Sequence, residues 1–202
     1  MASRTLNPTF LALVFLAGVG PLISEHAENL LRFDREAIIA GQYWRLLSAH
    51  FLHTNLAHAV INAGACTVLW ILFKAHLRPL PSLGLLLLIC LLTGIAILFF
   101  SPHLTHYVGL SGVLHALIVW GSIKDLRNGE RFGLVLLAGV CAKIAWEQLG
   151  GDTSATAALI DAQVAIDAHL WGALAGLILA LYPQRFYPTP FRAPHRPIQP
   201  QE

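Results

Sequence analysis

Six long apolar runs constrain the fold of this chain more than any other feature of its sequence. They occupy residues 6–23, 56–73, 83–100, 108–123, 132–149 and 162–181. Each run has roughly 16–20 residues, close to the ~20 that an α-helix needs to cross a hydrocarbon core about 30 Å thick. Only 12% of the residues are charged, and the runs lack the periodicity of half-buried elements. The sequence therefore predicts an all-α polytopic membrane protein, a six-transmembrane-helix bundle formed by residues 1–182.

The two ends of the chain need separate interpretation. Arg4 precedes the first run, as in a signal peptide, but the run is long for the apolar part of one. Pro21, Leu22 and Ile23 also make a poor cleavage site, so we expect a retained helix. Residues 183–202 are polar and rich in proline, which predicts a disordered or extended tail.

The positive charges between the runs predict the orientation. With the N-terminus in the cytoplasm, nine lysines and arginines fall in inside segments: Arg4, Lys74, Arg78, Lys124, Arg127, Arg131, Arg185, Arg192 and Arg196. The outside segments hold three: Arg32, Arg35 and Arg45. This bias follows the positive-inside rule and predicts that both termini are cytoplasmic.

The net charge of +2 gives no case for nucleic-acid binding. Arg45, with Tyr43 and Trp44, is expected to lie along the lipid headgroups.

Polar side chains at membrane depth are concentrated in the second, fourth and sixth runs. Asn62, Ser111 and His169 lie twelve, thirteen and fourteen residues before the residues that follow the inner ends of these runs: Lys74, Lys124 and Pro183. At 1.5 Å per residue, all three are about 18–21 Å above the inner boundary. We therefore expect them in one layer, and polar residues at such depth indicate a functional site.

Ser111 lies between Gly109 and Gly112, where an outside loop leads into the fourth run. The part of that run from Ser111 to Ile123 has only thirteen residues, so we expect a short helix recessed below the surface. The N-terminus of a helix offers unpaired N–H groups that can stabilise an oxyanion. A packing role stays open, because glycine and serine are common where membrane helices touch.

Other polar residues could assist Ser111 or His169. His115 follows Ser111 by four residues on the same face, one turn deeper, and is a second candidate base. Asp167 precedes His169 by two residues and so faces another way, which favours a serine–histidine dyad over a triad. One pair four residues apart, Lys143 and Glu147, is interpreted as an intrahelical ion pair. No metal or other cofactor is predicted, because three further histidines lack the spacing of metal ligands: His53, His58 and His103.

Three stretches, taken together, resemble the rhomboid intramembrane serine protease family over residues 10–182. WRLLSAHFLHTNLAHAVIN (44–62) is similar to the first loop and second helix of the family. GLSG (109–112) resembles its nucleophile motif, and AHLWGALAG (168–176) resembles its last helix. Each motif is weak alone, but three in the expected order form a specific pattern.

The resemblance implies a role for each matching residue. Ser111 would be the nucleophile and His169 its base, with an oxyanion hole made by the Ser111 N–H and the side chains of Asn62 and His58. Gly172 and Gly176 would let the sixth run pack closely on the fourth. Supporting roles are expected for three further matching residues, Gly109, Gly112 and His53, and for His115.

His115 departs from many rhomboids, which carry a tyrosine at that position. With GLSGVLH and the compact layout, it makes the chain most similar to the rhombosortase branch. That branch implies a bacterial inner membrane protein whose active site opens to the periplasm. It also implies a transmembrane protein substrate, with a C-terminal tail that combines Gly-Gly, a hydrophobic helix and a basic end.

Two other functions stay open from the sequence. A rhomboid-like pseudoprotease would bind transmembrane helices without cleaving them, although the presence of both Ser111 and His169 argues against it. A transporter or proton relay is disfavoured, because the sequence shows no internal repeat and no acidic residue deep in the predicted spans.

Overall fold

The computed structural model describes residues 25–77 and 79–182. The first predicted run and the predicted tail lie outside these residues. In chain order the elements are α1 (Glu25–Leu31), β1 (Phe33–Asp34), α2 (Arg35–Ile39), α3 (Arg45–Ser48), a 3₁₀ turn (Ala49–Phe51), α4 (Leu56–Phe73), α5 (Pro79–Phe100), β2 (His106–Tyr107), α6 (Ser111–Arg127), α7 (Phe132–Gln148), α8 (Ser154–Ile160) and α9 (Ile166–Leu181).

Five of these helices carry the second to sixth apolar runs: α4, α5, α6, α7 and α9. Within the described ranges, α4 and residues 82–100 of α5 are long and apolar enough to cross a membrane, with mean hydropathies of 1.8 and 2.9. α9 is also apolar but shorter. These helices fit an all-α membrane protein, and the count of six spans stays a prediction.

The fourth run forms a longer helix than its apolar stretch predicts. α6 begins at Ser111 and continues for 17 residues to Arg127, which is about 25 Å. The expected thirteen-residue helix is therefore wrong. Two contacts stabilise the polar end of α6. Within the helix, the Lys124 ammonium lies 5.6 Å from the centre of the Trp120 ring. Arg127 donates to the Ala180 carbonyl of α9.

The sixth run begins later than predicted. α8 ends at Ile160 and is followed by Asp161, which is in the left-handed conformation with φ of 52°. Residues 163–165 are neither helix nor strand, so α9 starts at Ile166 instead of 162. The sequence does not reveal this break in the helix, because the connection contains the apolar residues Ala162, Val164 and Ala165. His169 consequently lies in the first turn of α9.

Close contact between α6 and α9 organises the helices around the site. A Cβ atom added at Gly172 would overlap the carbonyl of Gly112, and one added at Gly176 would overlap the carbonyl of Ala116. Because no side chain separates the two backbones at these points, α9 lies directly against the first turns of α6. α4, α5 and α7 also pack on α6, which makes α6 the central helix of the described part.

The segment before α4 is held to the bundle by two arginines. Arg35 donates to carbonyl oxygens at the end of α5, including those of Leu98 and Ile97. Arg45 was expected along the headgroups but is only 4% exposed. It donates to the carbonyls of Asn29 and Arg32, because folding places these unpaired backbone acceptors around it. Only its neighbours Tyr43 and Trp44 are exposed.

Candidate active site

A tight turn places Ser111 at the first position of α6. Gly109 has φ of 128°, and a Cβ atom there would lie 2.9 Å from the His58 ring. The Gly109 N–H donates to the Ala49 carbonyl at 3.1 Å, and the Tyr107 hydroxyl donates to the Gly109 carbonyl. These contacts fix the backbone so that the Ser111 side chain and the free N–H groups of the first helical turn lie at the same place.

Ser111 and His169 are hydrogen-bonded across the contact between α6 and α9. The Ser111 Oγ lies 2.9 Å from His169 Nε2. His169 is buried, and the glycine contacts of α9 bring its first turn within reach of α6. The hydroxyl and the imidazole therefore have the geometry in which a histidine can take a proton from a serine.

A buried carboxylate lies on the other side of the His169 ring. His169 Nδ1 is 2.8 Å from Glu147 Oε2, and Glu147 is only 5% exposed. Lys143 donates to the other carboxylate oxygen, as the i,i+4 spacing predicts. The spacing of Lys143 and Glu147 predicts their ion pair but does not predict the contact of Glu147 with His169.

His115 lies over the face of His169. The two rings stack with centroids 4.1 Å apart and planes 17° apart. His115 Nδ1 is 2.8 Å from the Ser111 carbonyl oxygen; because a carbonyl only accepts, Nδ1 carries the hydrogen. The Ser111 hydroxyl is thus bonded to His169 and the Ser111 carbonyl to His115.

Asp167 is directed away from this site. Its carboxylate accepts from the Ser101 hydroxyl and lies 3.3 Å from His103 Nε2. His103 is therefore not brought together with His53 and His58, which pack edge to face with centroids 4.9 Å apart.

One group of described residues could hold a metal ion. His115, Glu147 and His169 offer ligand atoms that lie within 4.8 Å of one another. Each of these side chains already makes a hydrogen bond inside the protein. The hydrogen bond between Glu147 and His169 and the stacking of His115 on His169 hold the three side chains together.

Asn62 and His58 line the same cavity as Ser111 and His169. The Asn62 Nδ2 is buried and has no hydrogen-bond partner in the described part of the chain. A buried amide donor without a partner is costly, and a ligand oxygen in the cavity could satisfy it. His58 Nδ1 lies 3.1 Å from Thr54 Oγ1, while the far side of its ring faces Gly109.

Two histidines before α4 are buried and neutral. Burial lowers the pKa of His50 to about 4, and its Nε2 lies 3.0 Å from the Cys90 carbonyl. Burial, with a contribution from the nearby His58, also lowers the pKa of His53 to about 4. His53 packs on the His58 ring, and His50 packs edge to face on the Tyr107 ring.

The cavity has a volume of about 860 Å³. Its polar end contains Ser111, His169 and Asn62, and an apolar part extends between α4 and α6. That part is lined by Ile61, Ala65, Val68, Leu69, Leu114 and Ile118. Such a combination suits an extended or partly unwound apolar segment with a backbone carbonyl near Ser111.

The fold and the site define a helical membrane protein with a serine, a histidine and a carboxylate joined by hydrogen bonds. The model of the Rhomboid domain matches residues 40–185, well over half of the chain. The protein therefore belongs to the rhomboid family, as its motifs predict. Members of this family are in general serine proteases that act on transmembrane substrates within the bilayer. No curated protein sequence matches the chain significantly.

Proposed function

We propose that this protein is an intramembrane serine endopeptidase, with Ser111 as nucleophile and His169 as general base. The observation that carries the proposal is the 2.9 Å contact between Ser111 Oγ and His169 Nε2, inside a cavity of a rhomboid-family chain. A hydroxyl bonded to a buried imidazole is activated as a nucleophile when the imidazole takes its proton.

The reaction follows the chemistry of acyl transfer. Ser111 Oγ forms a bond to the carbonyl carbon of the scissile peptide, and its proton passes to His169 Nε2. The oxyanion accepts hydrogen bonds from the Ser111 N–H, the Asn62 amide and the His58 ring in its Nε2–H form. The C–N bond then breaks, and His169 returns the proton to the leaving amine.

Water completes the cycle. It attacks the acyl carbon and gives a proton to His169, the ester bond to Ser111 breaks, and Ser111 regains that proton from His169. The product is a free carboxylic acid, and the enzyme returns to its starting protonation state.

The substrate is a membrane-anchored protein cleaved near or within its transmembrane segment. The apolar part of the cavity between α4 and α6 supports this class. Glycine weakens a helix by about 1 kcal/mol per residue, so a Gly-Gly stretch would expose a backbone carbonyl to Ser111. His115, within GLSGVLH, supports the rhombosortase branch and hence a C-terminal Gly-Gly, hydrophobic and basic sorting tail.

The proposed setting is a bacterial inner membrane. Six helices within residues 1–182 would cross it, with both termini and the tail 183–202 in the cytoplasm. The site would then open to the periplasm. The charge bias of the connecting segments supports this orientation.

Co-expression with a secreted reporter that carries such a tail tests the function. Wild-type protein should cleave the reporter, while Ser111→Ala and His169→Ala, at equal membrane levels, should not. Cleavage retained in His169→Ala and lost in His115→Ala would assign the base to His115. Cleavage retained in Ser111→Ala would refute the proposal.

Labelling with a serine-directed fluorophosphonate separates a protease from a helix-binding pseudoprotease. A folded wild-type protein should be labelled at Ser111. A folded preparation that neither labels nor cleaves, yet binds the reporter, would identify a binder instead.

A further inference from the structure

The outer end of α7 contains a carboxylate that burial makes costly unless it is paired. Glu147 is shielded from solvent, and an unpaired buried charge is strongly destabilising. Both of its oxygens have partners: Oε1 accepts from Lys143, and Oε2 lies 2.8 Å from His169 Nδ1. The lysine is half exposed, so the histidine is the buried partner.

This contact selects one form of the His169 ring. A carboxylate only accepts hydrogen bonds, so Nδ1 must carry the hydrogen. In a neutral imidazole, Nε2 is then free to accept, and Nε2 is the atom that faces Ser111 Oγ at 2.9 Å. The opposite form would direct an N–H at the serine and could not take its proton.

We propose that Glu147 is a positioning residue for His169, so that the site works as a Ser111–His169–Glu147 triad and not as a dyad. This inference rests on the proposed protease function. Glu147 holds the ring with Nε2 unprotonated toward Ser111. When His169 takes the serine proton, the carboxylate stabilises the imidazolium at 2.8 Å, where the low local dielectric makes charge pairs effective.

The packing of α7 against α9 sets this distance. Ile144 and Val140 of α7 form an apolar cluster with Ala173 of α9 and Val119 of α6. Ile144 precedes Glu147 by one helical turn, and Ala173 follows His169 by one turn. The cluster therefore fixes the relative height of the two helices just below the Glu147–His169 contact.

No other described acid could replace Glu147 here. Asp167 is engaged with Ser101 and His103. The titratable groups around His169 are His115 from α6, Glu147 and Lys143 from α7, and His58 from α4. Among these, Glu147 is the only anion.

The test compares Glu147→Gln with the matched carboxylate-to-amide change Asp167→Asn. Each purified variant is assayed on the reporter in proteoliposomes, with kcat and KM measured separately and thermal unfolding followed as a fold control. We expect Glu147→Gln to lower kcat by about 10²–10⁴-fold with KM within about twofold. Asp167→Asn should keep kcat near wild type. Glu147→Asp, which retains the charge, should recover part of the lost kcat.

A second readout does not depend on proteolysis. The ¹⁵N shifts of labelled His169, assigned by comparison with His169→Ala, report which ring nitrogen carries hydrogen. We expect hydrogen on Nδ1 in the wild type and a shift toward the Nε2–H form in folded Glu147→Gln. An unchanged tautomer, with unchanged kcat, would refute the positioning role even if cleavage by the wild type is established.

The two proposals fail differently. If the wild type neither cleaves nor labels but the tautomer changes in Glu147→Gln, the protease function fails and the Glu147–His169 contact stands. If wild-type cleavage is lost in EDTA and restored by Zn²⁺, then His115, Glu147 and His169 form a metal site, and the positioning role is overturned.

Discussion

At the scale of single residues, the Asn62 amide is the clearest unpaired group of the site. It is 3% exposed, and its Nδ2 donates to no atom of the described chain. We expect Asn62→Ala to lower kcat by about 10²–10³-fold, because one oxyanion donor is lost, and to leave the fold intact because no internal bond of Nδ2 is broken. The measurement is reporter cleavage together with thermal unfolding.

Asn62→Asp is a suitable companion variant. It nearly preserves the size of the side chain but replaces the N–H donor with an acceptor. Activity similar to wild type in either variant, at equal protein levels, would remove Asn62 from the oxyanion hole.

The contact of Glu147 with His169 is indicated by the positions of the two residues in their runs. The fifth run carries Glu147 at a predicted depth similar to that of the polar residues in the second, fourth and sixth runs. Glu147 follows Arg131, at the predicted inner start of the fifth run, by sixteen residues, which is about 24 Å. This is within about one turn of the ~21 Å derived for His169. The similar depth indicates Glu147 as a partner of His169. From the sequence alone, however, the i,i+4 spacing to Lys143 explains Glu147 equally well.

At the scale of elements, glycines decide how closely α9 approaches α6. We expect Gly172→Ala to separate the two helices, because the added methyl group would overlap the Gly112 backbone. Separation should lengthen the Ser111–His169 contact, lower kcat at least tenfold, and lower the midpoint of thermal unfolding. A 1 Å displacement can cost about 10² in rate.

Gly139→Ala on α7 is the matched control. A Cβ atom there meets nothing within 4 Å, and alanine is favoured over glycine in helices by about 1 kcal/mol. This variant should keep its activity and unfold at the same or a higher temperature. Equal behaviour of the two variants would contradict the argument that α9 and α6 require glycine contacts.

Helix positions were predictable from hydropathy, and helix ends were less so. The second run matches α4 at both ends, and Asn55 caps the beginning of the helix by accepting from the His58 N–H. The ends of α6 and α9 depend on contacts that a single run does not contain. Arg127, the last residue of α6, donates to the Ala180 carbonyl of α9, and the break before Ile166 follows the left-handed Asp161.

At the scale of the whole molecule, the orientation in the membrane can be tested by cysteine labelling. Of the three cysteines, Cys66 and Cys90 are buried and Cys141 is exposed, so Cys141→Ser provides the background. An impermeant maleimide should label His103→Cys in intact spheroplasts and Asn128→Cys only after permeabilisation. The reverse pattern would overturn the positive-inside orientation.

The stability of the whole molecule should fall as the medium becomes acidic. Burial holds the pKa of His50 and His53 at about 4 in the folded protein, below the ordinary value of about 6.5. Between these values the unfolded chain binds more protons, so the free energy of unfolding decreases as pH falls from about 6.5 to 4.

His53→Gln removes one of these sites, and its midpoint of thermal unfolding in detergent should therefore decline less over this range. His26→Gln, at an exposed position of α1, should retain the wild-type slope. Parallel slopes in all three proteins would mean that protonation of His53 does not limit stability between pH 6.5 and 4.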